Sequence, residues 1–183
     1  MIREYKKFRE NLKIAGLTLI NFVNLNDSEK ALVLAWRNHK DVRNQMFTNH
    51  VLTQEEHSDF IKKLAKNQTH FCWLAKKDKK SIGVVALHDV DFKNRHCYFG
   101  AYADPHGKNI GVGFVLFQTI IKLAFDVFKL HSLRGSTIGD NPVLYIHKKL
   151  GFKEVGRYND YVFRNGGWRD AVVTEIINKN DYV

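Results

Sequence analysis

Apolar residues along most of this chain follow one of two spacings, which distinguish strands from helices. Seven segments have the alternating or continuous apolar pattern of strands and are bounded by polar turns. The last two of these segments are joined at Asn165-Gly166-Gly167, which is a strong signal for a β-hairpin. The expected bounds of the seven strands are 18–23, 70–76, 82–90, 95–103, 132–138, 155–163 and 168–177.

Four other segments have helical spacing. Asn26 and Glu29 are spaced as a capping box at the start of the first, and Thr53 with Glu56 repeats that pattern at the start of the second. The third, from residue 111 to about 129, has an apolar and a polar face, which is typical of a helix lying on a sheet. A short fourth helix is expected over 142–150.

The order of these elements predicts an α/β fold. It runs strand, two helices, three antiparallel strands, helix, strand, helix and two strands, which gives a central mixed, mostly antiparallel seven-stranded sheet flanked by about four helices. The chain has 183 residues and no repeat or Pro/Ser-rich linker. We therefore expect a single domain over 1–183, in which residues 1–16 form a charged lead-in.

Charge and cysteine content narrow the partners and the compartment. The net charge of +10 calls for an acidic partner, but Lys and Arg are spread along the chain without a helix-turn-helix, zinc-finger or RNA-binding signature. An anionic cofactor and a nucleotide-linked substrate fit this charge, and we expect no nucleic-acid or membrane partner. The start lacks a signal-peptide core, and Cys72 and Cys97 are expected to be buried free thiols, so a cytoplasmic protein is expected.

One cluster of polar residues is better explained as ordinary polar side chains than as a metal site. His88, Asp89, Asp91 and His96 could supply ligands on paper. They straddle an expected hairpin turn and lack the spacing of known metal motifs. We therefore expect no metal.

The most informative motif is a glycine-bearing loop between a strand and a helix. Lys108-Asn109-Ile110-Gly111-Val112-Gly113 follows the strand that ends at Ala103. Glycines let a backbone approach an anion, and a helix start offers unpaired amides. The loop resembles the Gln/Arg-x-x-Gly-x-Gly/Ala pyrophosphate loop of the GNAT-fold N-acetyltransferases. That resemblance implies the GNAT fold and acetyl-CoA as donor, with its pyrophosphate on 108–113 and its thioester carbonyl near Phe99, Gly100, Ala101 and Tyr102.

A second segment strengthens the resemblance to this family. Asn141 begins a stretch that ends in Gly151-Phe152 and is similar to the family's Asn...Tyr-x-x-x-Gly-Phe pattern. The resemblance assigns Asn141 to the pantetheine arm. A Tyr four residues before the Gly commonly protonates the leaving thiolate, but that position is His147 here and the Tyr is Tyr145. Both are kept as catalytic candidates; the alternative for His147 is a surface helix residue, with water as the proton source.

A third segment is similar to the pseudaminic-acid branch of the family. It comprises Trp36-Arg37-Asn38-His39, Met46 and the helix start Glu55-Glu56-His57. This similarity implies acetylation of the 4-amino group of a UDP-linked 4-amino-4,6-dideoxy sugar by direct transfer. The oligomeric state stays open, although a homodimer is common among similar enzymes. The substrate-binding candidates are Arg37, Asn38, Met46 and His57.

Two other functions and the identity of the base stay open at the level of sequence. A protein N-acetyltransferase of the ribosomal-protein type also carries a Trp-x-Asn segment, and a non-catalytic domain binding CoA or nucleic acid would explain the missing Tyr. The strand 132–138 has no carboxylate where related enzymes carry a Glu base. A water chain ending at His88, Asp89 or His57 is the remaining route for the proton.

Overall fold

The chain folds into one layer of sheet covered on both faces by helices. A computed structural model describes residues 8–107, 110–164 and 166–181. Within these ranges the strands are β1 Leu12–Ile14, β2 Leu17–Asn21, β3 Phe71–Lys77, β4 Lys80–Asp91, β5 His96–Ala103, β6 Ser132–Ile138, β7 Lys153–Arg164 and β8 Gly167–Ile177. The α-helices are α1 Asp27–Asn38, α2 Lys40–Arg43, α3 Gln54–Leu64, α4 Val112–Lys122 and α5 Val143–Lys149. Short 3-10 turns lie at Phe22–Asn24 and Lys179–Asp181, and a π-helical turn, Leu123–Val127, continues α4.

The sheet is mixed and mostly antiparallel, as predicted. Its order is β1-β2-β3-β4-β5-β6-β8-β7, and only the β5–β6 pair is parallel. The prediction of seven strands was wrong, because the described residues form eight. The additional strand, β1, lies in the expected lead-in and turns into β2 through Ala15 and Gly16, which both have positive φ.

The prediction of about four helices was also incomplete, because the described residues contain five. The extra helix is α2, a single turn after α1, for which His39 accepts a hydrogen bond from the Asp41 amide. Both predicted capping boxes are confirmed: Asn26 with Glu29 starts α1, and Thr53 with Glu56 starts α3. Within the described ranges no helix is both long and apolar enough to cross a membrane.

Two apolar clusters, one on each face of the sheet, make up the core. Successive residues of β3 show the division, since Trp73 belongs to the cluster under α4 and Leu74 to the cluster under α1 and α3. Cys72 and Cys97 are buried free thiols, as predicted, and burial raises the pKa of both to about 12. The two clusters hold α4 and the α1–α3 segment firmly on opposite faces.

The sheet opens between β5 and β6, and this gap positions the candidate site. The two strands pair only from His96 to Tyr98, opposite Ser132 to Arg134, and then diverge. The ring of Phe99 occupies the point of divergence and lies against Gly135, where an added Cβ would be 2.2 Å from the ring. A side chain at position 135 would therefore displace Phe99 from the apex of the gap.

Candidate active site

A cavity of about 880 Å³ runs from the gap between β5 and β6 to the space under α1 and α3. One half is lined by the start of α4, the end of β6 and α5. The other half is lined by α1, α3 and the segment between them, and the residues of β5 from Tyr98 to Ala103 separate the two halves. The cavity thus brings two chemically different regions to the same strand.

The half of β5 that borders the gap offers backbone amides to a ligand. The Asp104 amide donates to the Ile82 carbonyl at 3.0 Å, toward β4. Because amides of an antiparallel strand alternate in direction, those of Phe99, Ala101 and Ala103 face the gap instead. Gly100 adds open space, since nothing lies within 4 Å of a Cβ built there. Phe99, Gly100, Ala101 and Tyr102 all line the cavity, where the resemblance places the thioester.

The start of α4 has the geometry of an anion site at the mouth of the gap. Gly111 is the N-cap with φ 88°, and no side chain caps the helix, so the first amides of α4 have no side-chain acceptor. No atom lies within 4 Å of a Cβ built on Gly111. Gly113, the second residue of α4, packs so closely on Ile146 that a Cβ would lie 2.9 Å from Cδ1. Ile110 is fully exposed and Val112 begins the helix, whereas Lys108 and Asn109 lie outside the described residues.

His147 is enclosed at the inner end of this half. Its side chain is 2% exposed, so the alternative of a surface helix residue is wrong. Its ring centroid lies 4.7 Å from that of Phe117, 5.3 Å from Phe99 and 5.1 Å from Phe152. Burial in this aromatic box lowers the pKa of His147 to about 4, and the imidazole is therefore neutral at pH 7.

The two ring nitrogens of His147 have different surroundings. Nδ1 lies 3.1 Å from the hydroxyl of Thr174 on β8. Nε2 is buried and has no hydrogen-bond partner among the described residues. His147 lines the cavity together with Phe99 and Phe117. Nε2, and not Nδ1, is therefore the ring nitrogen left for a ligand in the gap.

Tyr145 and Asn141 differ in their relation to the cavity. Tyr145 is 66% exposed and does not line the cavity; its ring instead lies 5.3 Å from the Lys149 ammonium. Asn141 lines the cavity, but its amide already donates to the Thr137 hydroxyl and its carbonyl accepts from the Val143 amide. Asn141 therefore closes the turn from β6 into α5.

The far half of the cavity is closed by the segment 44–52, which we call the acceptor loop. Asn38 holds its end, since the side-chain amide donates to the Leu52 carbonyl and the side-chain carbonyl accepts from the Leu52 amide, each at 2.8 Å. Arg37 Nη2 donates to the Thr48 carbonyl at 2.8 Å. The sequence analysis placed Arg37 and Asn38 in substrate binding; Arg37 lines the cavity, and Asn38 acts on the loop.

Two further arginines hold the acceptor loop by its carbonyls. Arg43 Nη1 donates to the Asn49 carbonyl at 2.8 Å. Arg164, at the end of β7 and buried, donates through Nη2 to the Met46 carbonyl at 2.6 Å and to the Phe47 carbonyl at 3.1 Å. Sequence analysis missed Arg164, because the partner carbonyls lie more than 100 residues away in sequence. The position of Arg164 next to the hairpin motif at 165–167 gave no indication of these contacts.

The interior of the far half contains a cation, an apolar side chain and histidines. Arg37 Nη1 is buried without a partner among the described residues, and Met46 lines the same space. His57 is 6% exposed, its Nε2 is likewise unpartnered, and burial lowers its pKa. His88 also lines the cavity and stacks on Tyr98, whereas Asp89 lies outside the lining with Oδ2 3.0 Å from His88 Nδ1. Within the described ranges no three His, Cys, Asp or Glu side chains form a metal cluster.

Comparison with known proteins agrees with this geometry. A family model for the acetyltransferase (GNAT) domain matches residues 17–153. Acetyltransferase PseH of Campylobacter jejuni subsp. jejuni serotype O:23/36 (strain 81-176) is 38% identical over 125 residues, which are 68% of this chain and 76% of that protein. Acetyltransferase PseH of serotype O:2 (strain ATCC 700819 / NCTC 11168) is 35% identical over 145 residues, or 79% of this chain and 86% of that protein.

Solved structures extend the similarity to the whole fold. The Campylobacter jejuni N-acetyltransferase PseH, in a crystal structure with acetyl coenzyme A, matches with a TM-score of 0.68 and 27% identity. That match covers 89% of this chain and 99% of the other. The spermidine N-acetyltransferase of Vibrio cholerae, crystallised with CoA and spermine, matches with a TM-score of 0.81 over 90% of this chain and 96% of the other. At 19% identity, this second match is a likeness of fold.

Proposed function

Because this chain belongs to the GNAT acetyltransferase family, we propose that it is an acetyl-CoA-dependent N-acetyltransferase that acetylates the 4-amino group of a UDP-linked 4-amino-4,6-dideoxy sugar. The observation that carries this proposal is the opening between β5 and β6, which joins an uncapped helix start to an enclosed acceptor cavity. The similarity to PseH, at 35% identity or more in two curated proteins, supports the amino-sugar acceptor.

Acetyl-CoA would bind along the gap with its charged end outward. The free amides at the start of α4 and the αL conformation of Gly111 suit the pyrophosphate. The pantetheine arm would then follow β5, whose amides at Phe99, Ala101 and Ala103 face the gap. Such an arrangement would bring the thioester to the level of Phe99 and His147, at the apex of the gap.

Transfer needs a neutral amine, an activated carbonyl and a leaving thiolate. An amide of β5 that faces the gap would stabilise the oxyanion that forms when the amine attacks the thioester carbon. The nitrogen loses its proton to water or to a histidine of the far half, His57 or His88. The C–S bond then breaks, and its electron pair stays on sulfur beside His147. We exclude Tyr145 from the reaction, since it lies outside the cavity lining.

The buried guanidinium of Arg37 makes the far half suit a nucleotide sugar better than a peptide, although Asp41 and Glu56 also line that half. Three arginines and Asn38 fasten the acceptor loop over the cavity, and Arg37 keeps one buried Nη group without a partner. A guanidinium in that state favours an anionic oxygen such as that of a diphosphate. The apolar side chain of Met46 would lie against the deoxygenated face of the sugar.

An acceptor panel tests this proposal. We would measure thiol release from acetyl-CoA with UDP-4-amino-4,6-dideoxy sugars, the same sugars without the nucleotide, ribosomal N-terminal peptides and spermidine. We expect turnover with the UDP-sugars at a kcat/KM at least about 100-fold above the other acceptors, as loss of a buried ion pair with the diphosphate would give. Efficient turnover of peptides or spermidine, with the UDP-sugars inert, would overturn the assignment.

A further inference from the structure

Thr174 on β8 contacts one of the two imidazole nitrogens of His147. Both side chains are buried, at 4% and 2% exposure, and the hydroxyl lies 3.1 Å from Nδ1. Among the described residues the hydroxyl of Thr174 has no other hydrogen-bond partner. Within the described ranges, neither side chain of the pair hydrogen-bonds a third group.

The two possible arrangements of hydrogens differ in which donor they leave unpaired. If Nδ1–H donated to Thr174, the hydroxyl hydrogen would remain buried without an acceptor, which is costly. If the hydroxyl donates to Nδ1, the hydrogen of the neutral ring resides on Nε2, and the one unpaired donor then belongs to a side chain that lines the cavity, where a ligand can accept from it. That nitrogen has no protein partner.

The resulting tautomer matches the chemistry of a thioester. The carbonyl oxygen and the sulfur of a thioester, and the thiolate that it releases, are hydrogen-bond acceptors only. The box of Phe99, Phe117 and Phe152 fixes the plane of the ring. The hydrogen bond with Thr174 fixes which edge of the ring faces β8. An Nε2–H donor at the apex of the gap therefore has a suitable partner in the bound donor substrate.

We propose that Thr174 is a positioning residue, which donates to His147 Nδ1 and thereby presents Nε2–H to the sulfur of the leaving thiolate. This inference rests on the proposed function. The amine forms the new C–N bond, the C–S bond breaks with its electron pair on sulfur, and the proton of the amine passes to water or to a histidine of the far half, as above. His147 stabilises the thiolate by a hydrogen bond and keeps its hydrogen, and free CoA takes a proton from solvent. The low pKa of the buried ring, about 4, is consistent with an imidazole that stays neutral throughout.

The kinetic test compares three substitutions of buried threonines. Thr174→Val keeps the branched shape and removes the donor, and we expect kcat to fall about tenfold with the KM for acetyl-CoA unchanged. Thr174→Ser restores a hydroxyl and should recover most of the rate. Thr119→Val is the control, since that fully buried hydroxyl bonds only the Val115 carbonyl within α4, and its kcat should stay close to that of the wild type.

A spectroscopic test on the protein alone separates this inference from the proposed function. With ¹⁵N-labelled histidine, and with His147→Gln to assign the signal, we expect Nε2 of His147 protonated and Nδ1 unprotonated at pH 7.5. Thr174→Val should shift Nδ1 toward the value of a free lone pair. A protonated Nδ1 in the wild type, or an unchanged kcat in Thr174→Val, would overturn the inference. If no acceptor is acetylated, the proposed function is contradicted, whereas the NMR measurement still establishes the tautomer of His147.

Discussion

His147 combines a titratable ring with an enclosure that is apolar except for the Thr174 hydroxyl, and this has a consequence for stability. The groups packed against it are Phe99, Phe117, Phe152 and the hydroxyl of Thr174, none of which titrates in the acid range. Its pKa is about 4 in the folded protein and about 6.5 when unfolded. Above pH 6.5 the ring is neutral in both states and contributes no pH dependence; below it, the unfolded chain binds a proton that the folded chain does not.

We therefore predict that stability falls as the pH drops from 6.5 toward 4. The contribution of His147 to this loss is about 2 kcal/mol between pH 7.5 and pH 5, and about 3 kcal/mol by pH 4. Urea unfolding at each pH measures it, with His147→Gln as the reference that lacks the titration. The free energy of unfolding of the variant should decline less steeply over this range. Parallel curves for the two proteins would contradict the buried neutral state.

Gly111 is the second residue at which local geometry predicts a measurable effect. Its φ of 88° and the empty space around it leave the amides of α4 accessible. Gly111→Trp should raise the Kd for CoA at least about 100-fold, because the indole would occupy the space of the pyrophosphate and remove several charge-assisted hydrogen bonds. Isothermal calorimetry with CoA measures this effect without any acceptor.

Gly16→Trp provides the matched control for Gly111→Trp. Gly16 also has positive φ, at 75°, and no atom within 4 Å of its Cβ position, but it lies in the β1–β2 turn. Both variants therefore carry a similar backbone strain. Equal losses of CoA affinity in the two would show that strain, and not occupation of the site, causes the effect.

At the scale of elements, the acceptor loop depends on a strand distant in sequence. Arg164 of β7 donates to the Met46 and Phe47 carbonyls, and its Nε is buried without a partner among the described residues. Arg164→Met keeps much of the apolar volume and removes these bonds. We predict that the KM for the acceptor rises about tenfold while the KM for acetyl-CoA changes less than about twofold, as expected for a loss of charge-assisted bonds to the loop alone.

Arg157→Met on the same strand is the control for this prediction. Arg157 pairs with Glu154 and Asp170 at the exposed surface, so its removal changes charge by the same amount without touching the loop. Steady-state kinetics with each substrate varied in turn separate the two KM values. A rise in acceptor KM of equal size in both variants would attribute the effect to charge and not to the loop.

The same elements show which parts of the structure can be predicted from sequence patterns. Capping boxes, the hairpin turn and the amphipathic face of α4 are local signals, and each produced its element. β1 was missed because three residues are too few for alternation to be recognised. The enclosure of His147 was also missed: its aromatic box comes from β5, α4 and the turn after α5, and no spacing within α5 encodes contacts to the first two.

At the scale of the whole molecule, the sheet and the net charge together influence how substrates reach the site. The two apolar clusters fix α4 and the α1–α3 segment on opposite faces of one sheet, so the gap between β5 and β6 becomes a passage between two sites. Both proposed substrates are anions, and the chain carries a net charge of +10. A positive field of this kind raises the local concentration of anionic ligands before any contact forms.

We therefore predict that salt lowers the rate at which the enzyme captures the UDP-sugar more than the rate of the chemical step. The Debye length falls from about 10 Å at 0.1 M to about 3 Å at 1 M salt, so kcat/KM for the UDP-sugar should decrease several-fold over that range while kcat changes little. Acetyl-CoA is kept at a saturating concentration. The same amino sugar without its nucleotide, which has no phosphate, is the control acceptor. Because that control lacks the diphosphate, its kcat/KM should not fall with salt. If both acceptors lost activity equally, the salt would be acting on the protein or on acetyl-CoA binding, and the basic charge would have no part in capturing the acceptor.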